Sequence, residues 1–352
     1  MKFFIGGEPF FNPLIMFSKK KYDLDKYIGR RFNYKYRYYT GGGVHSIYQI
    51  LKNIDFKDNN HCLLPSYLCP TILKPFNSLK IRYKFYKINA NLDINNEYLI
   101  NSIDSNTKAI FFINYFGFPI SSENEKLLCS LKEKGIIIIQ DFVQAFYSDI
   151  NLIGDYCFNS FRKLLPADGS VILSNTSMII NQSFNNYKYL LHKSLGQFLR
   201  YTSYLIRIDL SKYFLRQFQL ANKFYYRSFN TRFSMFSKHI IERIELNNII
   251  RRKELFEKLL SKYDDKALFK DIPGNVIPLG FPIIVNDRDK LRDDLNKENI
   301  FCPVHWNLSN KISKDLFQES FWLSNNILTF QINETIDNDK FSKYIELIKA
   351  AV

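Results

Sequence analysis

Three polar side chains lie at spacings that suit covalent cofactor chemistry. Asp141 ends the apolar run 136–140, Gln144 follows three residues later, and Lys163 lies 22 residues after the aspartate. Pyridoxal phosphate (PLP) requires a lysine that forms a Schiff base with its aldehyde and a carboxylate that keeps its pyridine nitrogen protonated. We therefore interpret Lys163 and Asp141 as a candidate catalytic pair. Taken alone, each is more often structural: an N-cap for Asp141, and an exposed basic pair for Arg162 and Lys163.

The neighbouring residues extend this interpretation. Gln144, one helical turn after Asp141, is placed to donate to the phenolic oxygen of the cofactor, and Ser160 is placed to hydrogen-bond its phosphate. Once released from the cofactor, Lys163 would carry a proton between the substrate carbon and the cofactor carbon. The charge of Arg162 favours the neutral amine that a nucleophile needs.

A glycine loop, 40–43, precedes a predicted helix and suits a phosphate, because free N–H groups and the positive end of the helix dipole meet there. It is neither a Walker A sequence nor GxGxxG, and by itself it favours an ordinary loop. His45 lies beside this loop, and His305 is a candidate for the substrate cleft. We interpret the other three histidines as structural.

The hydrophobic pattern between residues 40 and 180 predicts the framework that must position these residues. Predicted helices cover 44–51, 71–76, 95–103 and 123–134, and predicted strands cover 61–65, 81–86, 108–113 and 136–140. This alternation is typical of an open α/β fold with a mostly parallel sheet and helices on both faces. Ligands bind such sheets at the carboxyl ends of strands, where Asp141 lies.

A second α/β pattern begins near residue 234. Its predicted helices cover 237–262, 288–298 and 338–350, and its predicted strands cover 276–285, 300–304 and 327–332. We predict a large cofactor-binding domain over 1–235 and a smaller C-terminal α/β domain over 236–352.

The segment 183–232 differs from the rest of the chain in composition. It carries nine Lys/Arg, one Asp and no Glu among interleaved aromatic residues. Two interpretations stay open. The favoured one is a pair of long connecting helices whose aromatic side chains pack on the body or on a second subunit. The other is a basic surface that touches a membrane or an acidic partner.

Bulk composition narrows the class of protein. The chain has 352 residues, 46% of them hydrophobic and 24% charged, with a formal net charge of +15, which indicates a globular protein that favours anionic partners. No nucleic-acid recognition module is present, so we expect no nucleic-acid partner. The five scattered cysteines indicate reduced thiols, and without a CxxC pair we expect no metal site.

The start of the chain resembles a signal peptide for only three residues before Glu8 and Pro9 interrupt it. No window of eighteen uninterrupted apolar residues predicts a membrane-spanning helix. We therefore predict a cytoplasmic protein.

With these residues in order, the chain resembles the DegT/DnrJ/EryC1/StrS family of PLP-dependent sugar aminotransferases, of fold type I (aspartate aminotransferase-like). The resemblance extends over nearly the whole chain. Its motifs are the glycine-to-helix loop 43–47, the strand end 64–70, "H-x-x-G-x-P" at 114–119, "E-D-x-A-Q" at 140–144, the Schiff-base segment 154–169, "N-x-R-x-S" at 230–234 and a double basic pair at 251–252.

The resemblance implies amino transfer, most often from glutamate to a keto group of a nucleotide-linked sugar, for surface polysaccharide, lipopolysaccharide or antibiotic sugars. Lys163, Asp141 and Gln144 would keep the roles given above.

The phosphate would be held by Ser160, by the backbone at Gly43, Val44 and His45, and by Asn230 of the partner subunit. The resemblance thus implies a homodimer with shared active sites. Tyr67 would substitute for a ring-stacking aromatic residue, and Arg232 is a further candidate for substrate contact.

The chain departs from the family pattern at several positions. Only two residues separate Ser160 from Lys163, Val44 replaces a loop threonine, Cys69 stands where an aromatic is common, and Ser170 replaces a glycine. These departures keep two alternatives open: a catalytically degenerate subunit that binds or organises other proteins, and a PLP enzyme of another reaction type. A lysine instead of a histidine at position 163 argues against the sugar dehydrases of the family.

Overall fold

The computed structural model describes residues 5–9, 11–244, 250–333, 336 and 338–351. Residues 1–4, on which the leader-peptide prediction partly depends, lie outside this part of the chain. The strands are β1 (Ile5–Gly6), β2 (Tyr36–Thr40), β3 (His61–Pro65), β4 (Arg82–Tyr86), β5 (Thr107–Ile113), β6 (Ile137–Asp141), β7 (Tyr156–Phe158), β8 (Ser170–Ser174), β9 (Phe281–Ile284), β10 (Ile300–Phe301) and β11 (Ile327–Phe330).

The helices follow in the same chain order. They are α1 (Leu24–Arg31), α2 (Gly43–Asn53), α3 (Leu73–Leu79), α4 (Asn96–Ser102), α5 (Ser122–Glu133), α6 (Tyr187–Ile206), α7 (Ser211–Tyr225), α8 (Met235–Ile241), α9 (Ile250–Tyr263), α10 (Arg288–Lys297), α11 (Gln318–Asn326) and α12 (Asn338–Ala351). Short 3₁₀ turns lie at Pro13–Phe17, Pro70–Ile72, Tyr115–Gly117 and Phe161–Lys163.

Seven strands form the central sheet in the order β2-β8-β7-β6-β5-β3-β4. β3 runs parallel to both β4 and β5, and β5 runs parallel to β6. β2 pairs antiparallel with β8. The predicted fold class, α/β with a mostly parallel central sheet, is confirmed.

The inner strands β3, β5 and β6 are continuous apolar runs because parallel strands are covered on both faces. Side chains of all three are fully buried: Leu63, Leu64, Ile110, Phe111, Ile138 and Ile139. At the carboxyl end of this layer Ile113 pairs with Asp141, and the Asn114 N–H donates to the Asp141 carbonyl over 3.0 Å. The predicted strand end at Asp141 is therefore confirmed.

The chain separates into two compact units. The first comprises Glu8–Ile54 and Phe158–Glu245, and the second comprises Lys2–Gly7, Asp55–Cys157 and Leu246–Val352. The second unit also contains two small sheets, β1 parallel to β10 and β9 antiparallel to β11. The boundary between residues 235 and 236 stays a prediction.

Two strands in the second half are shorter than predicted. The expected strand 276–285 is reduced to β9, because Pro278 has no N–H to donate and Gly280 approaches Thr329 too closely for a side chain. Likewise 300–304 is reduced to β10, which ends before Pro303. The expected helix 237–262 comprises α8 and α9, and its residues 245–249 lie outside the described chain.

The segment 183–232 forms an antiparallel helix pair, α6 and α7, joined by residues 207–210. This confirms the prediction of two long helices. Their buried faces include Tyr189, Phe214, Phe218 and Tyr225, whereas several other aromatic side chains are exposed. No helix in the described chain is long and apolar enough to cross a membrane.

Candidate functional site

The predicted site residues fall into two groups, each within one unit. The first, here the lysine cluster, lies in the first unit and comprises the glycine loop, Ser160, Lys163, Asn230 and Arg232 with their contacts. The second, here the aspartate cluster, lies in the second unit and comprises Tyr67, Asp141, Gln144 and His305 with theirs.

The glycine loop of the lysine cluster is shaped by close contacts that leave no room for side chains. A Cβ on Gly41 would lie 2.6 Å from Cγ2 of Thr231, and one on Gly42 would lie 1.9 Å from the Tyr225 hydroxyl oxygen. The Gly41 N–H donates to the Thr231 carbonyl over 3.0 Å. The glycines are therefore required for close packing as well as for the turn.

A chain of buried hydroxyl groups fixes the first turn of α2. The Thr40 and Ser46 hydroxyl oxygens lie 2.8 Å apart, those of Ser46 and Ser170 lie 2.7 Å apart, and the Ser170 hydroxyl donates to the Asn159 carbonyl. The departure from glycine at position 170 thus has a structural role, since its hydroxyl joins β8 to α2.

Ser160 lies beside the amino end of α2. A Cβ on Gly43 would lie 3.3 Å from Cβ of Ser160, whose side chain is buried. The first N–H groups of a helix have no partners within the helix, so those of Gly43 and Val44 and the Ser160 hydroxyl together form a donor set that suits a phosphate. Val44 contributes through its backbone, because its side chain packs with Tyr189 and Tyr225.

Lys163 ends a 3₁₀ turn that begins after Ser160. The Lys163 N–H donates to the Ser160 carbonyl over 3.3 Å, so the backbone of this turn joins the two residues. The turn is anchored by buried Phe161, whose N–H donates to the Gly169 carbonyl over 2.9 Å, and by buried Leu164. Lys163 itself is exposed.

Arg162 is directed away from the role expected of it. Its guanidinium lies over the Tyr225 ring, 4.1 Å from the centroid, a cation–π contact inside the unit. Tyr225 also contacts His45, at 5.0 Å between ring centroids. The His45 Nε2–H donates to the Tyr225 carbonyl over 3.3 Å, and burial lowers the pKa of His45 to about 4, so the imidazole is neutral at pH 7.

Asn230 and Arg232 follow the helix pair and are tied to their own chain. The Asn230 Oδ1 accepts from Gln49 Nε2 of α2 over 3.2 Å. Arg232 forms an isolated bridge with Thr40, and its Nε donates to the Gln182 carbonyl. Both residues thus lie beside the glycine loop and α2.

In the aspartate cluster, Asp141 is 6% exposed and its Oδ1 accepts from the Val143 N–H over 2.9 Å. The backbone N–H of Phe116 donates to the Gln144 Oε1. Because only the oxygen of an amide can accept, this contact fixes the orientation of the Gln144 side chain and leaves its Nε2 as the donor. The donor role of Gln144 toward a cofactor stays a prediction.

The 3₁₀ turn Tyr115–Gly117 connects the rest of this cluster. The Tyr115 hydroxyl donates to the Tyr67 carbonyl, and the Phe116 ring lies edge-on to His305 at 5.3 Å. Tyr67 is fully buried, with Trp306 at 5.5 Å, and the His305 Nδ1 lies 2.9 Å from the Thr329 hydroxyl. Tyr67, Gln144 and His305 are therefore brought together around one turn.

Gln140 and Asn114, the first residues of two of the motif segments, contact each other. The Gln140 Nε2 donates to Asn114 Oδ1 over 2.9 Å and to the Asn151 carbonyl over 3.1 Å, while its Oε1 accepts from the Ile153 N–H over 2.8 Å. The Gln140 side chain therefore joins the end of β5 to the loop that follows β6.

Sequence reasoning missed Tyr115, Trp306 and the hub position of Tyr225. Nothing near Tyr225 in the sequence indicates its contacts, because its partners Arg162 and His45 lie 63 and 180 positions away. No three His, Cys, Asp or Glu side chains in the described ranges are grouped to hold a metal, and none of the five cysteines forms a disulfide.

The chain shares its fold with solved sugar aminotransferases. Spr1654 from Streptococcus pneumoniae, a proposed sugar aminotransferase in its PMP form, matches with a TM-score of 0.73 at 12% identity, over 99% of this chain and 98% of that one. A DegT DnrJ EryC1 StrS aminotransferase from Brucella abortus matches with a TM-score of 0.67 at 14% identity, over 96% and 92%.

A mutant of GDP-4-keto-6-deoxymannose-3-dehydratase (ColD) with bound GDP-perosamine matches with a TM-score of 0.66 at 19% identity, over 92% and 90%. No protein-family model and no curated protein matches the sequence. At these identities the comparisons establish the fold, which is the one predicted from the resemblance.

The buried His45 predicts a pH-dependent stability. Its folded pKa of about 4 lies below the unfolded value near 6.5, so its contribution is complete above pH 6.5 and is lost as pH falls towards 4. From pH 7 to 5 the unfolding free energy should fall by about 2 kcal/mol more in the wild type than in His45→Gln. Urea unfolding at both pH values measures this difference; equal losses would contradict it.

The hydrogen bond from Gln140 Nε2 to Asn114 Oδ1 predicts that substitutions at positions 114 and 140 have coupled effects on stability. Gln140→Glu replaces a donor with an acceptor facing Asn114 Oδ1 and should lower the unfolding free energy by about 1–3 kcal/mol. Adding Asn114→His supplies an N–H and should restore at least half of the loss. Denaturant unfolding of both single variants and the double variant tests this, and additive effects would rule out the coupling.

Proposed function

We propose that this protein is a PLP-dependent aminotransferase that moves an amino group, from glutamate, to a keto group of a nucleotide-linked sugar. The observation that carries the proposal is local. Lys163 is exposed at the end of a turn whose start, Ser160, lies against the amino end of α2, in a chain that has the fold of sugar aminotransferases. That arrangement offers a nucleophilic amine beside a phosphate site.

The residues of the lysine cluster fit a phosphate-bearing cofactor. The glycine loop packs too closely on Thr231 and Tyr225 to carry side chains, so its backbone is bare, and the adjoining donors are N–H groups and a hydroxyl. We assign the phosphate to the backbone N–H groups of Gly43 and Val44 and to the Ser160 hydroxyl, whereas the His45 N–H, also expected to contribute, donates to the Gly42 carbonyl over 3.0 Å.

Each candidate side chain has one task in this proposal. When bound, PLP supplies an electron sink that lowers the barrier to removing a proton from the substrate carbon. The Lys163 amine would hold the cofactor and, when released from it, would take up and return that proton. The Asp141 carboxylate, which is nearly buried at the end of β6, would hold the ring N–H. Gln144 Nε2 would donate to the phenolic oxygen.

A nucleotide-linked sugar is the substrate class that the neighbours favour, since GDP-perosamine is bound in the related dehydratase. The net charge of +15 suits a diphosphate-bearing substrate. Arg232 and His305 are the proposed substrate contacts and Tyr67 a proposed contact to the cofactor ring. The product would serve surface polysaccharide or lipopolysaccharide synthesis in the cytoplasm.

We further propose, from the motif resemblance at 230–234, a homodimer in which Asn230 of the partner subunit completes the phosphate site, which requires Asn230 to exchange its contact with Gln49 of its own chain for the partner's site. Mixing Lys163→Ala subunits with Asn230→Ala subunits should then restore activity, because a mixed dimer contains one site with both residues intact. Statistical mixing predicts about a quarter of wild-type activity. Sedimentation measures the dimer and the aminotransferase rate measures recovery. A mixture no more active than its components would refute the shared site.

The visible absorption spectrum with PLP tests the cofactor and its lysine. The wild type should show a band that Lys163→Ala lacks and that Lys134→Ala, which changes an exposed lysine at the end of α5, retains. Glutamate should bleach this band, and a keto-sugar nucleotide should restore it.

The outcomes separate the alternatives. A Lys163-dependent band that glutamate leaves unchanged would keep the cofactor and discard this amino donor, and testing for loss of water from the sugar would then probe a dehydratase reaction. No band in the wild type would reject the enzyme and favour a binding or organising subunit.

A further inference from the structure

The tip of the α6–α7 helix pair exposes an unusual number of apolar side chains. Six large residues at the end of α6, in the turn and at the start of α7 are each about half exposed: Tyr204 (52%), Leu205 (58%), Ile206 (52%), Ile208 (57%), Tyr213 (58%) and Leu215 (47%). We define these six residues as the apolar tip.

The apolar tip is held in a defined shape. The buried Ser203 hydroxyl donates to the Ile208 carbonyl over 2.6 Å and accepts from the Leu210 N–H over 3.2 Å. Arg207 adopts a left-handed conformation (φ 58°) that ends α6. The turn is therefore fixed by internal hydrogen bonds, and its apolar side chains are displayed by a folded scaffold.

The exposed side chains point in several directions. Tyr204, Leu205 and Ile206 are consecutive on one helix, so their side chains are separated by about 100° each around its axis. A folded protein surface covers one face of a helix, whereas a fluid medium can surround exposed side chains that point in several directions. The distribution therefore favours the interfacial region of a bilayer over a second folded chain.

Charge around the apolar tip is positive. Arg207, Lys212 and Arg216 are exposed within ten residues, and Asp209 is the one acidic residue of the segment, with its Oδ1 accepting from the Ser211 N–H over 2.9 Å. Cations beside exposed apolar and tyrosine side chains match a surface of anionic lipids, in which the apolar groups enter the boundary and the cations meet the headgroups.

We propose that the apolar tip docks this protein on the surface of an anionic lipid bilayer, with Arg207, Lys212 and Arg216 at the headgroups. The site lies outside the lysine cluster and does not depend on the proposed activity. It gives the first unit a peripheral membrane attachment, without a spanning helix.

Co-sedimentation of the full-length protein with vesicles tests the proposal. The protein should bind vesicles of phosphatidylglycerol and phosphatidylcholine in equal parts, bind pure phosphatidylcholine weakly, and bind less as salt rises. The variant Leu205→Ser/Ile206→Ser/Ile208→Ser should lose at least about tenfold in partition. The control Leu191→Ser/Leu195→Ser changes exposed residues of the same helix outside the tip and should bind like the wild type.

A second variant separates a loss of lipid binding from a loss of folding. Arg207→Gln/Lys212→Gln leaves the apolar side chains in place and should lose about fivefold per cation on the anionic vesicles, with no change on neutral ones. Circular dichroism confirms that each variant is folded.

Three results would overturn the proposal. One is a wild type that stays in solution at low salt, and another is a tip variant that binds as well as the wild type. The third is a wild type that does not bind vesicles, combined with a tip variant that sediments as a smaller species than the wild type in the absence of vesicles. The apolar tip would then be a contact between two copies of this chain.

Discussion

The close packing of Tyr225 on the glycine loop is the contact on which the lysine cluster depends. A side chain at Gly42 would meet the Tyr225 hydroxyl oxygen at 1.9 Å, so the ring can lie there only because the loop residue has no Cβ. The same ring contacts His45 on one element and the Arg162 guanidinium on another. One aromatic side chain thereby links the end of α7, the first turn of α2 and the turn that carries Lys163.

Local signals account for the part of the fold that could be predicted. β3, β6 and α5 were predicted within about one residue, because an apolar run, the Ser121 N-cap and Gly135 after the helix all act at short range. The predicted strand 276–285 is longer than β9 because Pro278 and Gly280 lie within an otherwise apolar run.

The candidate site also has a part that local sequence signals predict and a part that they do not. Lys163 and Asp141 could be proposed from their neighbours in sequence, and the exposure of the lysine follows from the buried residues on both sides of it. Arg162 on Tyr225 and Gln49 on Asn230 join positions that are far apart in the chain, and nothing in a single sequence indicates such pairs. Sequence reasoning therefore identified candidate residues and left their partners unknown.

The cationic side chains of the α6–α7 helix pair include one that is buried and paired and others that are exposed. Lys193 pairs with Glu8 at 2.5 Å, and Arg200 donates to the Glu8 carbonyl. Burial alone would raise the pKa of Glu8, but the Lys193 ammonium lowers it below the usual range, so the carboxylate stays charged and offsets Lys193. Glu8 thus compensates the charge of Lys193, whereas Lys212 and Arg216 are exposed close to the exposed apolar residues. Electrostatic attraction and apolar burial therefore act at the same end of the helix pair.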